Sequence, residues 1–157
     1  MTEEQIKASS NEELGKIFMQ RFQRLQNEFR EIQKKLPSGK SFKAHQQAMY
    51  DFVVNSQGST SFQINGYTII VNRADYGIGF KHIILRHYCV DCDGKLVARD
   101  ILNIGNIIAN DIELPAKKKR RKFIQNKNGK KYSVILKDIS NGRLVFNFFT
   151  SGTETDG

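Results

Sequence analysis

The 157-residue chain carries 25 Lys and Arg against 16 Asp and Glu, a formal net charge of +9 at pH 7, and is 39% hydrophobic. That apolar content excludes wholesale disorder, and no apolar run approaches the roughly 20 residues of a membrane-spanning helix. The charge excess points to a polyanionic partner, nucleic acid ahead of an anionic membrane or an acidic protein.

Along the chain, Met1-Thr2-Glu3-Glu4-Gln5 is acidic and polar, unlike a secretory or transit segment. Ser10-Asn11-Glu12-Glu13 has the form of a capping box. Leu14, Phe18, Phe22, Leu25, Phe29, Ile32 and Leu36 then recur at steps of three and four, one apolar stripe on a long helix that Pro37-Ser38-Gly39 stops. Its expected use is core packing or partner contact. A shorter helix is expected from Phe42 to Val54, with His45 an exposed polar residue outside any site. The polar stretch Asn55-Ser56-Gln57-Gly58 marks a boundary between a helical region, 1–58, and a second region, 59–151. Residues 152–157 form a frayed tail.

Phe62-Gln63-Ile64, Asn65-Gly66 and Tyr67-Thr68-Ile69-Ile70-Val71 read as a hairpin, because Asn-Gly suits a type I′ turn between β-branched and aromatic runs. The segment Gly79 to Tyr88 is expected to be a short helix, followed by a loop from Cys89 to Gly94. Ile101, Ile104, Ile107 and Ile108 predict a second helix, which Leu114-Pro115 ends. Two further Asn-Gly pairs, at 128–129 and 141–142, separate three β-rich runs in the last third. The expected fold is α+β: N-terminal helices, then an antiparallel sheet of four to five strands with two inserted helices.

Two of the three histidines, His82 and His87, stand beside Lys81 and Arg86. Such a segment holds proton-transfer groups titrating near neutrality together with fixed cations. On an ideal helix residues five apart are roughly 140° apart, so this pair is not expected to face one ligand together. At least one partner would then come from the sheet. Cys89 and Cys92 are the only cysteines. Their C-x2-C spacing is too close to staple a fold, and a reducing compartment is the expectation. His82, His87, Cys89 and Cys92 also offer zinc-compatible ligand types, although structural zinc ligands come as pairs from separate elements. The run Lys117 to Lys122 feeds directly into a strand, which favours a phosphate-tracking edge over a solvated loop.

Gly79-Phe80-Lys81-His82-Ile83 with Arg86-His87, then Asp100-Ile101-x-x-Ile104-x-x-Ile107-Ile108, resembles the barnase/EndoU/colicin/RelE-like (BECR) nucleases, in their phage-associated and polymorphic-toxin branches. So does the closing aromatic strand Phe148-Phe149-Thr150-Ser151. The likeness spans residues 60 to 151. It implies an RNA-cleaving toxin that needs no metal or other cofactor, often acting on tRNA. It implies His82 and His87 as acid and base, Lys81 and Arg86 as phosphate neutralisers, and Thr150 or Ser151 as a hydrogen-bond donor. Lys119, Arg120, Arg121 and Lys131 would hold the RNA backbone. It further implies an acidic immunity or antitoxin partner and a cytoplasmic site of action, reached directly or by delivery within a larger toxin. The competing readings are a non-catalytic nucleic-acid-binding module and a zinc-binding protein using His82, His87, Cys89 and Cys92.

Overall fold

The computed structural model describes residues 11–73, 79–89, 95–110, 113–115, 120–127 and 129–152. Ser10, Cys92, Lys119, Asn128 and the tail from 153 lie outside the described residues.

Helix α1 (Asn11–Lys34) follows from the apolar stripe. Phe18, Phe22, Leu25, Phe29 and Ile32 are all buried, in the same core as Phe62, Ile84 and Phe148. Fully burying such side chains stabilises by roughly 1.5–3 kcal/mol each. The first helix is therefore part of the core that supports everything downstream. After a turn at Gly39 (φ +80°) comes α2 (Ala44–Val54), which buries Met49, Phe52 and Val53.

His45 does not occupy the exposed position expected of it. It is 9% exposed, because Gly105 brings the backbone of a later helix so close that a Cβ there would lie 2.6 Å from the imidazole. Burial lowers the His45 pKa below 6.5, opposed by a hydrogen bond with Asn106 and reinforced by the Lys43 charge. The unfolded imidazole therefore takes up a proton at higher pH than the folded one. The stability His45 contributes is complete above about pH 6.5 and is lost as pH falls towards its folded pKa. In urea titrations, the drop in midpoint from pH 7.5 to 5.5 should be larger for the wild type than for His45→Asn. Equal drops would remove His45 from the acid sensitivity.

Strands β1 (Ser59–Ile64) and β2 (Tyr67–Asn72) form the expected hairpin, with Asn65 and Gly66 both at positive φ (51° and 83°), as a type I′ turn requires. Helices α3 (Gly79–Arg86), α4 (Ala98–Leu102) and α5 (Ile104–Asn110) follow. The single helix expected around 100–108 is thus two. Asn103 breaks it by turning its side-chain amide back onto the Arg99 carbonyl (2.8 Å), which its own backbone N–H also engages (3.0 Å).

The chain closes with β3 (Glu113–Pro115), β4 (Arg120–Lys127), β5 (Lys130–Ile139) and β6 (Gly142–Gly152). The α+β class is as expected, but the sheet has six strands, in the order β1-β2-β6-β5-β4-β3, and is mixed. Two features account for the difference. Leu114-Pro115, read as a terminator, belongs to a three-residue edge strand, where a proline removes no interior hydrogen bond. The last strand also inserts between the two hairpins and pairs parallel with β2 over Ile69↔Arg143 and Ile70↔Leu144. A parallel pairing needs a long crossover, and the segment from α3 to β5 supplies it. The Asn141-Gly142 turn also departs from type I′, since Gly142 sits at φ +154° and Asn141 does not have positive φ. Among the described residues no helix is long and apolar enough to cross a membrane.

Candidate active site

Contacts at both of its ends fix α3. Phe80 inserts edge-on against Phe52 of α2 (4.8 Å between centroids) and Phe22 of α1 (6.1 Å), anchoring the start of the helix. At the other end, carbonyls without an intrahelical partner need donors. The Arg21 guanidinium of α1 donates to the carbonyls of Leu85 (2.5 Å) and Ile84 (3.3 Å), and Lys95 donates to that of Arg86 (3.0 Å). Cations at a helix C-terminus also complement its dipole. The N–H groups of His87 and Tyr88 both converge on the Ile83 carbonyl, at 2.8 and 3.1 Å, and the second of these, spanning five residues, closes the helix in a widened last turn. Tyr88 is buried and donates its hydroxyl to Glu28 of α1, and burial followed by that carboxylate raises its pKa far above the phenol range. It remains a neutral donor that ties the turn to α1.

This ending corrects the angular expectation for the histidines. Helical geometry stops at Arg86, and the turn swings His87 back so that its ring meets that of His82 edge-on, 5.3 Å between centroids at 71°. The His87 ring also lies 5.7 Å from that of Phe149 on β6. β2 covers β6 only at its start, over Arg143 and Leu144, and α3 packs against β6 as well. The two imidazoles are therefore neighbours at the junction of α3 and β6, both half-buried.

The other expected site residues divide between places. Lys81 reaches towards α1, its ammonium 5.7 Å from the Phe18 ring. Arg86 is half-buried at the last position of α3. Thr150 lies opposite Tyr132 and Ser151 opposite Lys131, immediately beyond Phe149 on β6. Arg120 and Arg121 are adjacent in sequence and so project to opposite faces of β4. The Arg120 guanidinium lies 4.1 Å from the Phe146 centroid, whereas Arg121 is turned to Asp138 at 3.1 and 3.2 Å. Asp138 also accepts the buried Arg143 at 3.4 Å, so Arg121 belongs to a bridged triad at the far end of the sheet rather than to a shared surface with Arg120. Lys119 lies outside the described residues.

Asp100, noted in the sequence only as a motif position, is a second titratable centre. It caps α4 through the Val97 N–H (2.9 Å) and pairs with Tyr132. Burial raises its pKa, and those two hydrogen bonds with the nearby Lys130 and Lys127 charges work against the rise. Its bonds account for a structural role, joining α4 to β5.

Cys89 is disulfide-bonded, not the thiol the sequence suggested. A disulfide sulfur is not the thiolate that zinc binds, and Cys92 lies outside the described residues. Among the described residues no three His, Cys, Asp or Glu side chains gather at metal-binding range.

Sequence reasoning missed Arg21, Tyr88 and Phe149 as builders of the site. Arg21 is 63 and 64 residues from the carbonyls it caps, and no local pattern announces such a contact. Phe149 stood in a quoted strand motif but had no assigned role. No protein-family model matches the chain, and no curated protein matches it in sequence.

Proposed function

We propose that the chain is an endoribonuclease that cleaves RNA by attack of a 2′-hydroxyl on the adjacent phosphorus, with His82 and His87 as its acid–base pair. The observation that supports this best is the 5.3 Å approach of the two rings at the junction of α3 and β6. One neutral imidazole removes the 2′-OH proton. The oxygen attacks phosphorus, and the protonated partner gives its proton to the departing 5′-oxygen. The products are a 2′,3′-cyclic phosphate and a 5′-hydroxyl, so atoms and charge balance without a further reagent. Arg86, at the last position of α3, neutralises the extra charge of the phosphorane and Thr150 or Ser151 donates to it, whereas Lys81 would have to leave its place over Phe18 to contribute. With Arg121 committed to Asp138, the RNA backbone falls to Arg120, Lys131 and Lys119. The substrate class is tRNA or another structured RNA, the setting that of a cytoplasmically acting toxin, and the natural inhibitor an acidic protein that covers the positive surface.

The test is incubation of purified tRNA and total RNA with the protein in excess EDTA, with end-group analysis of the products. Discrete fragments bearing 2′,3′-cyclic phosphate are expected. Intact RNA, or cleavage that appears only with added divalent metal, would sink the reading.

A further inference from the structure

The two sides of the sheet are unlike. Paired residues of antiparallel strands share a face, so Val134↔Phe148, Leu136↔Val145 and Tyr132↔Thr150 define the side turned to the core. Val134, Leu136, Val145 and Phe148 are at most 1% exposed there. Ser133↔Phe149, Lys137↔Leu144 and Lys131↔Ser151 define the other side. On it Ile124, Ile135, Leu144, Phe146 and Phe149 are only half-buried.

A register shift between Ile135 and Leu136 shapes this outer face. Phe146 and Phe149 are three residues apart and in a regular strand would point to opposite sides. The bulge sets both Phe146 and Asn147 against Ile135 and so returns the two rings to one side. The Arg120 guanidinium over Phe146 agrees, since Arg120 pairs with Lys137, which belongs to the outer set. Phe146 lies opposite Ile135 and Phe149 opposite Ser133, so at about 3.3 Å per residue the two rings stand roughly 7 Å apart along the strand. Standing side by side on one face, they offer a platform for successive bases.

The charge on this face has one sign. Arg120, Lys122, Lys131 and Lys137 are interleaved with the rings, and no acidic side chain of the described β4–β6 residues points the same way. Arg120 and Lys137 are direct cross-strand partners, an arrangement that disfavours folding and calls for an anionic ligand. Phosphates alone would be satisfied by cations. The half-buried aromatic rings of this face add a demand for flat π-surfaces, which a base offers only when it is unpaired.

We propose that the outer face of β4–β6 binds single-stranded nucleic acid, bases stacking on Phe146 with its Arg120 and on Phe149, phosphates running along Lys122, Lys131 and Lys137. This deepens the RNA-cleaving reading by naming its substrate as an unpaired segment. Phe149 touches both this face and His87, so the strand leads to the histidine pair.

Binding is measured by fluorescence anisotropy with 2′-O-methyl RNA decamers, which lack the nucleophile and report affinity independently of cleavage. The wild type is expected to bind the single strand at least about tenfold more tightly than the same sequence in a duplex. Phe146→Leu, which keeps an apolar side chain to support folding, should lower single-strand affinity by about tenfold and leave duplex affinity unchanged. Lys137→Gln should weaken both and reduce the salt slope by about one. Equal affinity for the two forms, indifference to Phe146→Leu, or no binding at all overturns the proposal. Phe146-dependent binding without RNA cleavage would uphold this inference while sinking the cleavage reading. Cleavage with Phe146-independent binding would do the reverse.

Discussion

Alanine at His82 or at His87 is expected to lower the initial rate of RNA cleavage by about 10²–10⁴-fold, the range supplied by a positioned general acid or base. The wild type should show a bell-shaped pH–rate profile, because the productive state needs one imidazole neutral and the other protonated. Each single variant should lose one limb of that bell. This separates a proton-transfer role from a packing role. His87 lies against Phe149, so its replacement also removes contacts, yet lost packing lowers the melting temperature without deleting a titration limb. If either variant keeps more than about a tenth of the wild-type rate, or if both limbs persist in what activity remains, the pair is not the acid and base. The double variant should be little worse than the poorer single one, as for residues that act as a unit.

Gly142→Ala is expected to be the most damaging small substitution in the sheet. Gly142 sits at φ +154°, in a region that is essentially glycine-only, and a Cβ there would lie 2.5 Å from the Thr68 carbonyl oxygen. That oxygen is backbone and cannot rotate away, and Ile70 and Thr68 side-chain atoms stand at 3.3 Å behind it. The parallel seam between β2 and β6 has only two registered pairs, beginning at Arg143. Moving β2 aside therefore opens the seam where it starts. A destabilisation of about 3 kcal/mol follows from strain and overpacking together, to be read from urea unfolding. Gly66→Ala provides the contrast: its φ of +83° is also positive, but nothing lies within 4 Å of the added carbon. It should lose about 1 kcal/mol, the penalty of the left-handed conformation alone. Equal effects at the two glycines would show that the close approach to Thr68 carries no energetic weight.

Local signals in this sequence read true where the physics is local. The heptad-like spacing from Phe18 to Ile32 specified a helix and the face it buries, and Asn65-Gly66 specified a type I′ hairpin. The failures have a common cause, which is contact between distant segments. Nothing near His45 says that Gly105 will press against it. Nothing near Ile69 says that its neighbour will be Arg143. The candidate site shows both sides of this. The histidines with Lys81 and Arg86 stood out as a cluster, but an ideal helix set the two rings apart. Only the early helix end, capped from α1, sets them in contact. Likewise Arg120 and Arg121 look interchangeable in a basic run, and strand alternation gives one to Phe146 and the other to Asp138.

The capping of α3 by Arg21 also makes the candidate site depend on a distant helix. The helix end that joins the two imidazoles takes two of its donors from a residue more than sixty positions upstream, so its geometry depends on α1 docking against α3. The histidine pair thus rests on three segments that lie far apart along the chain, α1, α3 and β6.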